Sequence, residues 1–215
     1  LGGNDFSGLT LNTDAALPPK LEILDLSYTE LTAEGLTQLL PLLSRGSNLV
    51  ELSLRENNFS GLMLNTTMAA FPPNLEILSL YNTQLTAEEL TQLLSLLSRG
   101  SNLVALYLSG NDFSGLTLNT TMAAFPPNLE RLDLSVTSLT AEGLTQLLPL
   151  LSRASNLVEL NLGGNDFSGL TLNTTIAAFP PTLEILSLYN TQLTAEGLTQ
   201  LLSLLSRGSN LVALY

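Results

Sequence analysis

Leu75-Glu76-Ile77-Leu78-Ser79-Leu80 shows the pattern Leu-x-x-Leu-x-Leu, which recurs along the whole chain. The pattern begins at Leu21, Leu49, Leu75, Leu103, Leu129, Leu157, Leu183 and Leu211. Its spacing alternates between a longer step, as from Leu21 to Leu49, and a shorter one, as from Leu49 to Leu75, so two successive repeats form one module. Self-similarity at a fixed period of this length predicts a solenoid, in which each repeat packs against its neighbours.

A longer period lies on top of this alternation. Residues 183–215 match residues 75–107 at every position except one, where Gly197 replaces Glu89. The unit of recent copying is therefore interpreted as four repeats, the stretch from Leu75 to Leu183.

The repeats resemble the leucine-rich-repeat family, and the longer, 28-residue repeats are similar to its ribonuclease-inhibitor-like branch. The family pattern places Asn three positions after the third leucine and an apolar residue two positions further on. The matching pairs are Asn4 with Phe6, Asn57 with Phe59, Asn111 with Phe113, and Asn165 with Phe167. The long repeats depart from the pattern and carry Thr29, Thr83, Thr137 and Thr191 at the Asn position. Because a threonine side chain satisfies fewer buried backbone groups than asparagine does, we expect a weaker hydrogen-bond ladder at every second coil.

Helical patterns fill the rest of each repeat. Long helices are predicted after Leu31, Leu85, Leu139 and Leu193, where leucines recur at helical spacing. Thr86 followed by Glu89 forms a capping box, and Gly46, Gly100 and Gly208 are expected to close their helices. In the short, 26-residue repeats, residues 119–125 predict a short helix that ends at Pro126-Pro127.

Together these features predict a right-handed α/β solenoid, a leucine-rich-repeat horseshoe with a parallel concave sheet and convex helices. We expect one array over residues 1–215, with about eight repeats and a break in mid-repeat at both ends. Such a chain is interpreted as a fragment of a longer array, with a repeat design as the alternative. Uncapped ends also predict head-to-tail self-association.

Composition restricts the possible chemistry. The chain has no cysteine and no histidine, which excludes disulfides, zinc sites built on thiolate or imidazole, and nucleophile–histidine catalysis. Nineteen acidic residues against seven basic ones give a formal charge of −12. That field repels nucleic acid and attracts a basic protein, so a basic protein partner is expected and a nucleic acid is not. No apolar run reaches the roughly 20 residues of a membrane span, and no signal peptide is visible. A cytoplasmic location is favoured, with secretion left open.

Strand alternation predicts which side chains face the concavity. With the first leucine of each pattern as position 1, the leucines at positions 4 and 6 point inward, and positions 3, 5 and 7 face outward. Four of the five tyrosines fall at these outward positions, beside exposed isoleucines and acids. The predicted partner-binding residues are Tyr81, Tyr107, Tyr189, Tyr215, Ile77, Ile185, Asp25, Glu51, Asp133 and Glu159. The alternative is that aromatic and β-branched residues simply suit strands.

No catalytic, cofactor-binding or metal-binding residue is predicted. The segment Asn111-Asp112-Phe113-Ser114-Gly115 resembles a calcium loop but lacks its alternating carboxylates, so turn chemistry explains it. The sequons at Asn65, Asn119 and Asn173 are better interpreted as helix N-caps. An ice-binding strip of Thr10, Thr117 and Thr171 is disfavoured, because Met63 interrupts the row. We therefore expect a protein-protein interaction module and no enzyme. The alternative is the recognition part of a larger enzyme or immune sensor whose catalytic domain lies elsewhere.

Overall fold

The computed structural model describes residues 1–11, 15–46, 48–64, 71–98, 102–118, 124–172, 179–206 and 210–215. Within them, eight strands form one sheet whose strand order is the order of the sequence. The strands are β1 (Ile23–Asp25), β2 (Glu51–Ser53), β3 (Ile77–Ser79), β4 (Ala105–Tyr107), β5 (Arg131–Asp133), β6 (Glu159–Asn161), β7 (Ile185–Ser187) and β8 (Ala213–Leu214). All seven pairings are parallel, which confirms the predicted sheet.

The strands pair at equivalent positions of the repeat. Leu24 lies opposite Leu52, for example, and Leu52 lies opposite Leu78. Because a slip of one residue would turn every buried leucine to the outer face, the leucine pattern fixes this register.

Four helices connect the strands, and each follows the leucine after which it was predicted. They are α1 (Ala33–Leu43), α2 (Ala87–Leu97), α3 (Ala141–Leu151) and α4 (Ala195–Leu205). In the described part of the chain, no helix combines the length and the apolar character needed to cross a membrane. The short helix predicted at residues 119–125 lies mostly outside the described residues.

Threonine caps the start of each helix in two different ways. In α1, α3 and α4 the Thr hydroxyl accepts a hydrogen bond from the backbone N–H of a glycine, at 3.2, 3.2 and 3.1 Å. In α2 that glycine is replaced by Glu89, whose carboxylate accepts from the Thr86 N–H at 2.8 Å. The predicted capping box is therefore present in α2.

The predicted closure of α1 by Gly46 is wrong. The helix ends at Leu43 with Ser44 in a right-handed conformation, and the Gly46 N–H donates to the Leu43 carbonyl at 2.8 Å. Ala154 occupies the same place after α3 and makes the same bond to Leu151 at 2.9 Å. No left-handed residue is needed there, so alanine replaces glycine without changing the turn. The other two glycines predicted to close helices, at positions 100 and 208, lie outside the described residues.

The core is a continuous stack of leucines from the inner side of the strands and from the helices. The side chains of Phe59, Phe113 and Phe167 are fully buried, at 0% exposure. Each belongs to a short repeat that has a complete coil on both sides. Each phenylalanine N–H donates to the carbonyl of a threonine in the following coil, as Phe59 does to Thr83 at 2.8 Å.

Buried asparagines join each short repeat to the coil before it. The Asn111 side-chain oxygen accepts from the N–H groups of Thr83 and Leu85 at 3.1 and 2.9 Å. Its amide group donates to the carbonyls of Leu80 and Leu108 at 2.8 and 2.7 Å. The Thr83 hydroxyl donates within its own coil, to Leu80 at 2.9 Å, and also contacts Asn111. The asparagine side chain thus bonds to the backbone of two coils. The threonine hydroxyl bonds to the backbone of its own coil and to the asparagine side chain of the next one.

The backbone turns left-handed just after each strand. Tyr28 and Val136 have φ angles of 56° and 53°, at the repeat position that Asn82 and Asn190 fill in the other long repeats. Asparagine tolerates this conformation, while a β-branched residue is strained in it. Both Tyr28 and Val136 are more than half exposed, at 58% and 62%.

Candidate binding face

The side of the sheet that faces away from the helices is called the open face, and it consists of positions 3, 5 and 7 of each repeat. Leucines at positions 4 and 6 are buried in every strand from β1 to β7, while the flanking strand residues are mostly half-buried or exposed. The alternation predicted from the sequence is therefore confirmed for these strands. The buried residues on the open face are small: Ala105 at position 3, and Ser27, Ser109 and Gly163 at position 7.

A hollow of about 340 Å³ lies on the open face between β2 and β5. It is lined by Glu51, Ser53, Arg55, Ile77, Ser79, Tyr81, Tyr107, Ser109 and Asp133. Five of these are residues predicted from the sequence to bind a partner: Glu51, Ile77, Tyr81, Tyr107 and Asp133. The hollow follows from the register, since Ser79 lies opposite Tyr107, which places Tyr81 and Tyr107 on neighbouring strands with two small serines beside them.

An arginine already covers one of these tyrosines. The Arg55 guanidinium lies over the Tyr81 ring, 5.1 Å from its centroid. This distance is within the range of an attractive cation–π contact. This contact of Arg55 with Tyr81 was not predicted from the sequence. The signal was present in the sequence, because both residues occupy position 7 of adjacent strands.

The acids of position 5 are partly engaged within their own turns. Asp133 accepts from the Ser135 N–H at 2.9 Å and from the Ser135 hydroxyl at 2.7 Å. Asp25 on β1 accepts from the Ser27 N–H at 2.9 Å, and the hydrogen bonds from Ser27 lower the pKa of the Asp25 carboxyl. These carboxylates are held in fixed orientations, which is a condition for specific recognition.

A smaller hollow of about 80 Å³ adjoins the first one on the open face. It is lined by Tyr107, Arg131, Leu132, Asp133, Glu159 and Asn161. Arg131 lies directly opposite Glu159 on the next strand. The predicted residue Glu159 thus shares a surface with Tyr107 and Asp133, but faces a basic neighbour.

The remaining predicted residues lie away from the large hollow. Asp25 lies on β1, while Ile185, Tyr189 and Tyr215 belong to the region of β7 and β8. Tyr189 and Tyr215 are 74% and 71% exposed, whereas Tyr81 and Tyr107 are half-buried. The two tyrosine pairs are therefore separate and differ in environment.

The loops that resemble calcium sites are closed by their own hydrogen bonds. Asp112 accepts from the Ser114 N–H at 3.1 Å, and Asp166 accepts from the Ser168 N–H at 3.0 Å. Hydrogen bonds from these serines lower the pKa of both carboxyls. Among the described residues, no group of three or more potential ligands could hold a metal ion. The N-caps predicted at Asn65, Asn119 and Asn173 lie outside the described residues.

Comparison with known proteins identifies the repeat. The family model described as a leucine-rich repeat matches residues 18–40. That segment begins with Pro18-Pro19 and recurs with few changes from Pro72, Pro126 and Pro180. No curated relative matches the chain by sequence.

Solved structures share the fold at low identity. An internalin C2 from Listeria monocytogenes is 24% identical with a TM-score of 0.59, over 92% of this chain and 71% of that chain. TLR13 in complex with ssRNA13 is 24% identical with a TM-score of 0.53, and the match covers 80% of this chain but only 22% of that one. InlP from Listeria monocytogenes is 19% identical with a TM-score of 0.50, and the match covers 80% and 44% of the two chains. With a leucine-rich repeat matched at residues 18–40 and eight parallel strands in sequence order, the chain has the fold of a leucine-rich-repeat solenoid.

Proposed function

We propose that this chain is a protein-binding module that holds its partner against the open face, with the main contact in the hollow between β2 and β5. The observation that supports it is the composition of that hollow, where Tyr81, Tyr107 and Ile77 stand beside Glu51 and Asp133. Tyrosine next to aliphatic surface, within a rim of polar and charged groups, is typical of interface hot spots. Leucine-rich repeats commonly serve protein-protein interaction, and the match at residues 18–40 supports the same use here.

The charge of the chain favours a basic partner. A formal charge of −12 attracts basic surfaces and accelerates their association at low ionic strength. One structural neighbour, TLR13, was solved with a single-stranded RNA, so the fold itself does not exclude nucleic acid. The acidic charge argues against RNA for this chain, because RNA binding gains much of its affinity from basic residues that neutralise phosphates.

The titratable groups support binding over catalysis. Among the described residues, the carboxyls with shifted pKa values are Asp5, Asp25, Asp112 and Asp166, and in each case hydrogen bonds from a serine lower the pKa. A general acid or base works best with a pKa near the operating pH, and these groups move away from it. A larger enzyme or immune sensor that uses this array for recognition would carry its catalytic domain outside residues 1–215.

We also propose that residues 1–215 act as one array of about eight repeats, similar to the ribonuclease-inhibitor-like branch. The support is that an 11-residue helix recurs in each long repeat, from α1 to α4.

A double substitution of the two tyrosines in the hollow tests the function. Tyr81→Ala combined with Tyr107→Ala should weaken binding of a purified basic partner by more than about 2 kcal/mol, because both aromatic anchors are lost. Isothermal titration calorimetry measures the change, with partners first captured from an extract on the wild-type chain. Raising the salt concentration should slow association of the wild type.

Tyr28→Ala is the matched control, because Tyr28 is 58% exposed but lies in the turn after β1, outside the open face. It should leave partner affinity unchanged. A partner that binds the double variant as tightly as the wild type would overturn the proposal. A single-stranded RNA that binds more tightly than any basic protein would overturn the partner class.

A further inference from the structure

The two tyrosine pairs on the open face are copies of one another, four repeats apart, and the strand before each pair differs between the copies. Tyr81 and Tyr107 correspond to Tyr189 and Tyr215, and Ile77 corresponds to Ile185. Position 7 of the preceding strand is Arg55 in the first copy and Gly163 in the second. The second pair therefore has the same aromatic groups without the cation that accompanies the first.

The first copy contains a contact between an arginine and a tyrosine of the chain itself. Arg55 places its guanidinium 5.1 Å from the centroid of the Tyr81 ring, in the row of position 7. The ring lies at the edge of a hollow whose lining includes the carboxylates of Glu51 and Asp133. A planar guanidinium stacks on an aromatic face better than a compact, strongly hydrated ammonium does.

The second copy leaves the equivalent space open. Gly163 has no side chain to reach Tyr189. A β-carbon added at Gly163 would lie 3.2 Å from the Tyr189 carbonyl and 3.3 Å from the side-chain oxygen of Asn161. These contacts are tight, because the Asn161 oxygen also accepts from the Gly163 N–H at 3.1 Å and the Tyr189 carbonyl accepts from the Gly164 N–H at 2.7 Å, so a side chain at position 163 requires a shift of a few tenths of an ångström. Gly163 does not have a left-handed backbone.

We infer that Tyr189 is an open stacking site for an arginine side chain of a protein partner, which takes the place that Arg55 occupies over Tyr81. This inference rests on the proposed function and names the partner group that the β7 end of the open face recognises. The acidic charge of the chain favours a cation there, and the Arg55–Tyr81 contact within the same chain defines the geometry. Arg55 correspondingly keeps a second arginine away from Tyr81.

A pair of reciprocal substitutions tests the site. Gly163→Arg supplies the missing arginine from the chain itself, and Arg55→Gly removes it from the first copy. The reporter is the NMR signal of each tyrosine ring in protein labelled with ¹³C at tyrosine. The five signals are assigned with Tyr→Phe variants. The probe is a tetra-arginine peptide at low salt, with tetra-citrulline as the neutral isostere and tetra-lysine as the ammonium control.

In the wild type, tetra-arginine should shift the Tyr189 signal in a saturable way and shift the Tyr81 signal less. Gly163→Arg should weaken this response at Tyr189 by about threefold or more, and Arg55→Gly should produce a new response at Tyr81. Tetra-citrulline should give no saturable response, and tetra-lysine a weaker one.

The inference is overturned by any of three results: no saturable response of Tyr189, the same response in Gly163→Arg, or equal responses to arginine and citrulline. Equal binding of lysine would overturn the assignment to guanidinium. Circular dichroism shows whether Gly163→Arg folds; if it does not, the absence of a gain at Tyr81 in Arg55→Gly overturns the inference. The titration needs no partner, so its failure is distinct from a failure of the Tyr81→Ala and Tyr107→Ala test.

Discussion

Residues 75–107 and 183–215 have the same sequence at every position but one, and they fold into the same elements in different surroundings. Helices α2 and α4 both contain 11 residues that begin with alanine and end with leucine. Leu90 of α2 is 1% exposed, however, whereas its counterpart Leu198 in α4 is 41% exposed. A complete coil follows α2, whereas among the described residues only the strand β8 follows α4.

Some features of the two copies are set within one repeat, and others depend on the neighbouring coils. The positions of the capping threonines and the helix lengths are the same in both copies, because they depend on residues within one repeat. Burial, stacking on the tyrosines and the asparagine bridges differ, because adjacent coils provide them. Stability in a solenoid is accordingly the sum of repeat contributions and of interfaces between neighbours.

The largest expected effect comes from removing the asparagine that ties the first copy to its following coil. Asn111→Ala leaves the N–H groups of Thr83 and Leu85 and the carbonyl of Leu108 without their side-chain partner, while the Leu80 carbonyl keeps only the Thr83 hydroxyl. Because buried groups lose their hydrogen bonds, the substitution should lower the free energy of unfolding by about 4 kcal/mol. Urea unfolding followed by circular dichroism measures the loss.

Asn4→Ala is the matched control for this change. Asn4 belongs to the same sequence motif but is exposed, and its amide donates to the carbonyl of Leu1. Its loss should change the unfolding free energy by less than about 0.5 kcal/mol. Equal costs for the two variants would mean that the bridge between coils contributes nothing beyond the local turn.

A smaller effect is expected from the one residue that distinguishes the two copies. Glu89→Gly makes the segments identical and removes the carboxylate that accepts from Thr86 at 2.8 Å and from the Gly61 N–H at 3.0 Å. Loss of these bonds and the addition of a helical glycine should cost about 1–2 kcal/mol. Thermal unfolding of the two variants, Glu89→Gly and the reverse change Gly197→Glu, measures the difference.

Gly197→Glu should stabilise the chain, because Gly169 offers the N–H that corresponds to Gly61. The added β-carbon would lie 2.9 Å from a Leu193 methyl group, which can rotate away. A Gly197→Glu variant that melts below the wild type would show that the cap fits only the surroundings of the first copy.

The smallest effect concerns the turn that follows the first copy. Ser114 hydrogen bonds lower the pKa of Asp112 in the folded chain, so this carboxylate contributes stability above its unfolded pKa of about 3.9. That contribution is lost as the pH falls through the lowered folded value. Asp112→Asn keeps the turn, as Asn58 does when it accepts from the Ser60 N–H at 3.1 Å, but it does not titrate. The variant should lose less stability than the wild type between pH 5 and 2, as measured by acid unfolding; an unchanged pH profile would contradict this.

The sequence predicted the fold well, because the signals that define it are local and repeated. The spacing of the leucines placed all eight strands and the four long helices. Strand alternation also placed Tyr81 and Tyr107 on one surface, where the structure has a hollow. The prediction that Gly46 closes α1 was wrong, because the helix ends three residues earlier in a right-handed turn. Ala154 makes the same turn after α3.

Features that depend on the next coil were harder to predict. The Arg55 contact with Tyr81 requires knowing that position 7 of one strand lies beside position 7 of the next. The bonds that Asn111 accepts from Thr83 and Leu85 cross to another repeat, so the residues of one repeat do not reveal these partners. Nothing in the side chain of Val136 marks its left-handed backbone, which is imposed by its place in the repeat.

Because the strands lie in sequence order, the sheet holds equivalent residues of successive repeats at a fixed spacing. Strands β3 and β7 are four steps apart in this order, and a step of about 4.8 Å gives roughly 19 Å between the two tyrosine pairs. A partner long enough to reach both would engage the second at a high effective concentration once the first had bound. Two weak contacts at a fixed separation would then give an avidity that neither contact has alone, and a partner with its groups at another spacing would lose that advantage.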